Sequence, residues 1–431
     1  MSMPKKKQQK EFQAPKGMRD LLPQDWFFWD KLIKSGQNLA EDYGFQKIET
    51  PIVEDSELFI RGTGATTDIV TKEMYFVKTA GSASLALRPE GTPGVVRAYM
   101  ENGMASLPQP IKLFYFGPMF RHEQPQAWRW RQLYQLGLEI FGDPGAVLDA
   151  QLIQFCFHLL RSIGLKKINI QINSLGCLQC RPAYRRALLD YYRHRKEKVC
   201  PDCKRRIKEN PLRLLDCKEE KCQPIKAQAP AIVDYLCDEC RKHFKEVLEF
   251  LDELELPYFL NNSLVRGLDY YTKTVFEIFW EEEGMAQVAL GGGGRYDNLV
   301  KELGGKQTPA VGVALGLDRI AELMKIEQIK VGNGPNFKVF LVQLGLMGKK
   351  KSLRLFERLH QAGILAAESM SRDSIKAQMK IADKLGVKFA LILGQQEALD
   401  GTVIIRDMQT GVQETVLQEK VVDELKKRFK K

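Results

Sequence analysis

Between residues 73 and 141 the chain places five short β runs, Glu73 to Lys78, Ser84 to Arg88, Lys112 to Phe116, Phe120 to Glu123 and Arg131 to Phe141, with a single helical segment, Gly91 to Asn102, among them. Parallel neighbours need a helical crossover between strands, so a series this poor in helix cannot be a regular βαβ chain. It predicts an α+β domain with a mixed, mainly antiparallel sheet flanked by helices, and it argues against a doubly wound dinucleotide fold.

The flanks extend this plan. Apolar residues at Trp26, Trp29, Ile33, Leu39 and Ala40 predict a helix over Asp25 to Tyr43, closed by Gly44. Phe45 to Val53 reads as a strand interrupted by Pro51, which belongs at an edge or bulge and suits a face shared with a partner chain. A helix over Asp149 to Ile163 and a strand over Lys167 to Asn173 follow. Residues 176–256 form a cysteine-rich, charged, mostly helical insertion. The sheet resumes at Tyr258 and ends with a helix opening near Leu317. Residues 331–336 are a turn-rich linker, and 337–431 alternate strand and helix as a small α/β domain. Residues 1–13 read as a disordered basic tail, leaving 14–330 as the main domain around the insertion.

At 431 residues and 44% hydrophobic composition the chain has material for two or three cores. Its 65 Lys and Arg against 54 Asp and Glu give a net charge of +11, which favours a polyanionic partner or simply solvated basic faces. The N-terminal lysines have no apolar segment behind them and no window is long enough for a membrane helix, so a cytoplasmic protein without membrane attachment is expected.

The chemistry gathers in four segments. Leu264 to Ile278 sets Arg266, Asp269, Tyr270 and Tyr271 at a strand start, a pattern suited to a small polar ligand. The run Phe114 to Glu123 and the run Trp130 to Phe141 predict a long hairpin; on its returning strand Arg131, Leu133, Gln135, Gly137 and Glu139 share one face, beside Arg121. Such a face is a receptor for a zwitterion and a phosphate, or an ordinary solvated hairpin surface. His122 reads as a structural hydrogen-bonding residue. Arg88-Pro-Glu-Gly-Thr92 puts Glu90 and Thr92 at a helix start, where they hold an anion or act as a cap. Gly312 to Arg319 is a glycine-containing strand entering a helix that carries Arg319. Gly291 to Gly294 lacks the following lysine and hydroxyl of a phosphate loop.

Eight of nine cysteines fall in the insertion as Cys177/Cys180, Cys200/Cys203, Cys217/Cys222 and Cys237/Cys240. Two such pairs suffice for tetrahedral thiolate coordination of zinc, and the neighbouring Lys and Arg favour thiolates; free thiols are the alternative. Cys156, on an apolar helix face, reads as core.

In this order the segments resemble the histidyl-tRNA synthetase family of class II aminoacyl-tRNA synthetases, from about Ala14 to the C-terminus. The most specific motifs are Leu264 to Tyr271 and Gly292 to Asp297. Gly44 to Glu54 is similar to the class II dimer-interface motif, Phe120 to Phe141 to the second class II motif and Gly312 to Ile320 to the third. The resemblance implies ATP-dependent ligation of L-histidine to tRNA(His) through a histidyl-adenylate, releasing AMP and diphosphate, by a homodimer with an anticodon-binding C-terminal domain. It further implies that Glu90, Gln135 and Glu139 hold the histidine ammonium, that Tyr271 and Tyr296 bound the imidazole, and that Arg121 and Arg266 are catalytic at the α-phosphate. Arg121, Glu123, Thr92 and Arg319 are the implied ATP-binding residues, with Mg²⁺ accompanying the pyrophosphate.

Leu133 stands where the family usually has a phenylalanine stacking on adenine, and other family members build the insertion without these cysteines. Trp128 in the hairpin loop either stacks on a tRNA end or packs on its own hairpin. Arg372 and Lys376 of the last domain are basic residues for tRNA or solvated helix faces. Two other readings attach to such a core: a non-catalytic paralogue regulating histidine biosynthesis, and a tRNA-sensing module without chemistry. The intact Arg121, Arg266 and Arg319 and the presence of the last domain argue against both.

Overall fold

The computed structural model describes residues 12–81, 84–124, 128–281, 287–332, 334 and 336–430; most of the predicted tail, residues 125–127 of the hairpin loop and two linker positions lie outside them. The described chain divides into two compact units, the first ending at Val331 and the second starting at Gly332.

The strands of the first unit are β1 (Gln46–Lys47), β2 (Val53–Asp55), β3 (Tyr75–Val77), β4 (Leu85–Leu87), β5 (Ile111–Phe120), β6 (Gln132–Phe141), β7 (Ile168–Ser174), β8 (Phe259–Leu260), β9 (Thr272–Trp280), β10 (Val288–Arg295) and β11 (Ala310–Gly316). Eight of them form one sheet in the order β1-β5-β6-β11-β10-β9-β7-β8, while β2, β4 and β3 form a small separate sheet. In the large sheet only the outermost pairs, β1/β5 and β7/β8, are parallel. The five pairs between them are antiparallel. The predicted mixed, mainly antiparallel sheet is therefore the one observed.

Side-chain alternation on β6 divides the unit into a core and a cleft. Leu136, Leu138 and Ile140 are at most 1% exposed and pack under the helices Pro23–Asp42, Ala146–Ile163 and Leu317–Ile326. Each such side chain truncated to alanine costs about 2–5 kcal/mol. Their neighbours of opposite parity, Leu133, Gln135, Gly137 and Glu139, turn to the other face.

Two local expectations need correction. The predicted strand Phe45 to Val53 is split into β1 and β2, because Pro51 has no N–H to offer a ladder. Conversely, Lys112 to Phe116 and Phe120 belong to a single strand, β5, which runs through Pro118 and ends at Phe120, so Arg121 to Glu123 lie beyond it and form no strand of their own. Proline is tolerated there because β1 covers β5 only at Leu113 and Phe114, leaving an edge beyond. The final helix of the insertion, Asp238–Glu253, buries Phe244, Val247 and Leu251 in the main core.

In the second unit β12 (Val339–Gln343), β13 (Ala366–Glu368), β14 (Phe389–Leu393), β15 (Thr402–Asp407) and β16 (Gln413–Leu417) form a sheet in the order β13-β12-β14-β15-β16. Both faces are covered. Val339 and Leu341 join a core with Leu355, Leu359 and Val421, whereas Phe340 and Val342 join another with Ala382.

Candidate active site

The cleft lies over the middle of the large sheet, where glycines keep the floor low. A Cβ on Gly292 would lie 2.5 Å from Arg266 Nη1 and 2.7 Å from the Phe276 carbonyl, and one on Gly312 would overlap Glu139 Oε2. The glycine run is therefore a central strand shaved to admit side chains and a ligand from above, consistent with its lack of a phosphate-loop pattern.

At one end of the cleft two carboxylates sit in a shell of hydroxyls. Glu139, 1% exposed, accepts hydrogen bonds from Thr92 Oγ1 (2.7 Å), Tyr115 Oη (3.3 Å) and Tyr296 Oη. Burial pushes its carboxyl up to about 8, against the pull of those hydroxyls. Glu90 accepts from Thr63 Oγ1 (3.0 Å) and Tyr270 Oη (2.8 Å), and burial raises it too, opposed by the charge of Arg121. Gln135 lines the cleft as well, and its buried Oε1 has no hydrogen-bond partner. A buried acceptor left open costs about 1–3 kcal/mol unless a ligand supplies the donor.

The other end is cationic. Arg121 donates from Nε to the Pro89 carbonyl (2.8 Å), and Arg319 donates to the carbonyls of Trp128 (3.2 Å) and Ala289 (2.7 Å). Both guanidinium groups are thus fixed by backbone before any ligand arrives. Arg266 pairs with Glu277 (3.3 Å) and lies 5.7 Å from the Tyr271 ring centroid, with its Nε unpartnered. Glu123 sits near Arg129 at 3.4 Å and Arg121 at 3.9 Å. Leu133 lines the same cleft, as do Trp128 and Trp130. Trp128 is partly buried and packs against the main core rather than standing free.

Not every expected residue faces the cavity. Thr92 does line the cleft, bound to Glu139 at the carboxylate end rather than among the arginines, whereas the buried Glu139 does not line it. Tyr296 lies behind Glu139, 1% exposed, against the ring of Tyr270 at 5.6 Å. Asp269 turns away from the cleft, receiving Asn210 Nδ2 at 3.1 Å, with its own N–H donating to the Thr63 carbonyl at 3.1 Å. Arg295 is a structural anchor, fully buried and bonded to Asp149 (2.8 Å) and to the Gly145 carbonyl (2.7 Å). His122 stacks edge-on against Tyr75. Tyr270, expected at this strand start, lines the cleft, while Glu277 was not foreseen. Glu277 left a signal as the lone acid of β9.

The insertion gathers its eight cysteines into two groups, Cys177, Cys180, Cys237, Cys240 and Cys200, Cys203, Cys217, Cys222, each with its sulfurs within 4.8 Å of one another. Burial raises the Cys177 thiol, yet the N–H groups of Cys180 and Gln179 bring it down to about 7. Cys156 is fully buried in the core, as expected.

This sheet and cleft are those of the class II aminoacyl-tRNA synthetases. A family model described as histidyl-tRNA synthetase matches residues 17–320, and one described as an anticodon binding domain matches 338–428. The chain is 43% identical over 414 residues to a histidine-tRNA ligase of Acetivibrio thermocellus, covering 96% of this chain and 99% of the relative. To that of Desulforamulus reducens it is 45% identical over 404 residues, covering 93% and 96%. The solved structure of apo S. aureus histidyl-tRNA synthetase matches with a TM-score of 0.80 at 34% identity, over 96% of this chain and 100% of that one. The chain belongs to the histidyl-tRNA synthetase family. Its reaction is the ATP-dependent ligation of histidine to tRNA(His). Among the described residues no helix is long and apolar enough to cross a membrane.

Proposed function

We propose that the two ends of the cleft divide the adenylation step between them. Glu90, Glu139 and Gln135 receive the α-ammonium of histidine, Tyr271 bounds the imidazole, and Tyr296 bounds it indirectly by fixing Glu139. The observation that carries this reading is Gln135 Oε1, a buried acceptor on a cleft-lining residue that is left without a donor. Arg121 and Arg266 flank the α-phosphate and Arg319 packs on the adenine side, reaching the γ-phosphate. Attack of the histidine carboxylate on the α-phosphorus accumulates negative charge on its oxygens, and guanidinium groups already held in place, Arg121 by a backbone carbonyl and Arg266 by Glu277, stabilise that charge without reorganising. No proton transfer is needed at the phosphorus. Mg²⁺ arrives with the pyrophosphate of ATP; the cleft carboxylates Glu123 and Glu277 are oxygen donors of the type that this hard cation takes. Leu133 supplies apolar contact to the base without ring stacking. Thr92 contributes by holding Glu139 in place.

The cysteine groups hold structural zinc, supported by their thiolate geometry. The C-terminal unit reads the anticodon, and the enzyme works in the cytoplasm as a homodimer. Dimerisation is supported by Ile52, Val53 and Phe76, apolar and 43%, 39% and 60% exposed at or beside the small sheet. Sedimentation equilibrium returning the 49.3 kDa protomer mass would overturn the dimer.

The test is pyrophosphate exchange into ATP, run with each natural amino acid in turn. Exchange dependent on histidine is expected; its absence sinks the proposed division of labour.

A further inference from the structure

Four cysteine pairs can be joined into two four-thiol sets in three ways, and sequence does not choose among them. The fold chooses one, with an inner set nested within an outer set. Resting on the zinc reading above, we infer that the insertion carries two separate zinc sites, an outer one on Cys177, Cys180, Cys237 and Cys240 and an inner one on Cys200, Cys203, Cys217 and Cys222, and that together they brace the turn Arg266 to Lys273 under the histidine pocket.

The sulfur spacing fits. Zinc–sulfur bonds of about 2.3 Å in a tetrahedron set the sulfurs about 3.8 Å apart. Here Cys177 and Cys180 are at 3.6 Å, Cys177 and Cys237 at 3.9 Å, and Cys200 and Cys217 at 3.8 Å. Backbone N–H groups already point at the sulfurs, from Cys237 to Cys180 (3.2 Å) and from Cys200 to Cys222 (3.3 Å), the donors that orient metal-bound thiolates.

Residues beside these ligands hold the turn at two places. Next to the outer set, the Gly176 carbonyl accepts from Lys273 N (2.9 Å), Leu175 N donates to the Lys273 carbonyl (2.7 Å), and Arg181 donates to the Tyr271 carbonyl. Glu239, between Cys237 and Cys240, pairs with Lys273 Nζ at 3.1 Å. Lys273 needs such holding, because its φ of 47° is left-handed and costly for a lysine. Between the inner ligands Cys203 and Cys217, Arg213 donates to the Gly267 carbonyl (2.5 Å) and Asn210 to Asp269 (3.1 Å). Each zinc therefore closes a loop whose side chains grip one half of the turn carrying Arg266, Tyr270 and Tyr271.

Metal analysis and histidine-dependent exchange on the purified full-length protein test this. The wild type is expected to hold two zinc per chain, and the double variants Cys237→Ser/Cys240→Ser and Cys217→Ser/Cys222→Ser one each. Each double variant should raise KM for histidine roughly tenfold with a smaller change in kcat. No zinc in the wild type overturns both this inference and the zinc reading; one zinc, or none in either variant, overturns the two-site partition alone. If circular dichroism shows the cysteine variants unfolded, Arg181→Ala and Arg213→Ala decide the bracing role. They should keep two zinc yet raise the histidine KM, and an unchanged KM in both overturns it.

Discussion

Arg266 is held by Glu277 and Tyr271 before ATP is present, so its contribution should appear in the transition state rather than in ground-state binding. Arg266→His is expected to slow adenylate formation by about 3 kcal/mol, on the order of a hundredfold, with little change in histidine affinity, as measured by single-turnover kinetics and calorimetry. Equal losses in rate and binding would remove the proposed role. Glu139 carries a pH consequence. Its carboxyl, raised to about 8, is largely protonated in the free enzyme at pH 7, and a bound ammonium favours the ionised form. Histidine binding at pH 7 should therefore release a proton, and affinity should rise with pH up to about 8. Calorimetry in buffers of differing ionisation enthalpy reads this directly, and Glu139→Gln should abolish the release. For folding the sign is opposite: a carboxyl raised in the folded state lends stability below its unfolded value, near 4.3, that is lost as pH rises through about 8. Residue-level reading of sequence reached Glu90, Gln135, Glu139 and the three arginines, since charge and strand parity are local properties. It did not single out Glu277, because the pairing of Glu277 with Arg266 is a tertiary contact that strand parity does not report.

At the scale of elements, the site depends on how closely β11 lies against β6. Gly312 is paired with Glu139 across that ladder, and a side chain there would occupy the position of Glu139 Oε2. Gly312→Ala should cost about 1–3 kcal/mol of stability and displace Glu139, giving a lower Tm and a weaker histidine affinity together. A normal affinity in the variant would show that the carboxylate does not need this floor. Strand existence was legible from alternation in Arg131 to Phe141 and in the apolar run around Gly312. Strand continuity was not, as β5 shows: whether Pro118 ends a strand depends on which neighbour covers that edge, and the neighbour comes from residues 46–47.

For the whole molecule, the adenylation cleft is lined entirely from the first unit, while the second has two cores of its own. A fragment ending at Val331 should thus retain histidine-dependent pyrophosphate exchange and lose most tRNA charging. Loss of exchange in a folded fragment would refute that separation. Reaction class and amino acid were readable from the chain alone, because Arg266 to Tyr271 and Gly292 to Asp297 are contiguous motifs whose chemistry travels with their residues. The tertiary structure decided what depends on distance between remote segments. It set Asp269 and Arg295 to structural work and put Tyr296 behind Glu139. It also joined the pair Cys177/Cys180 to Cys237/Cys240, 60 residues on, rather than to the nearer pair Cys200/Cys203, since thiol partnership is fixed by which backbones are brought together and not by their order along the chain.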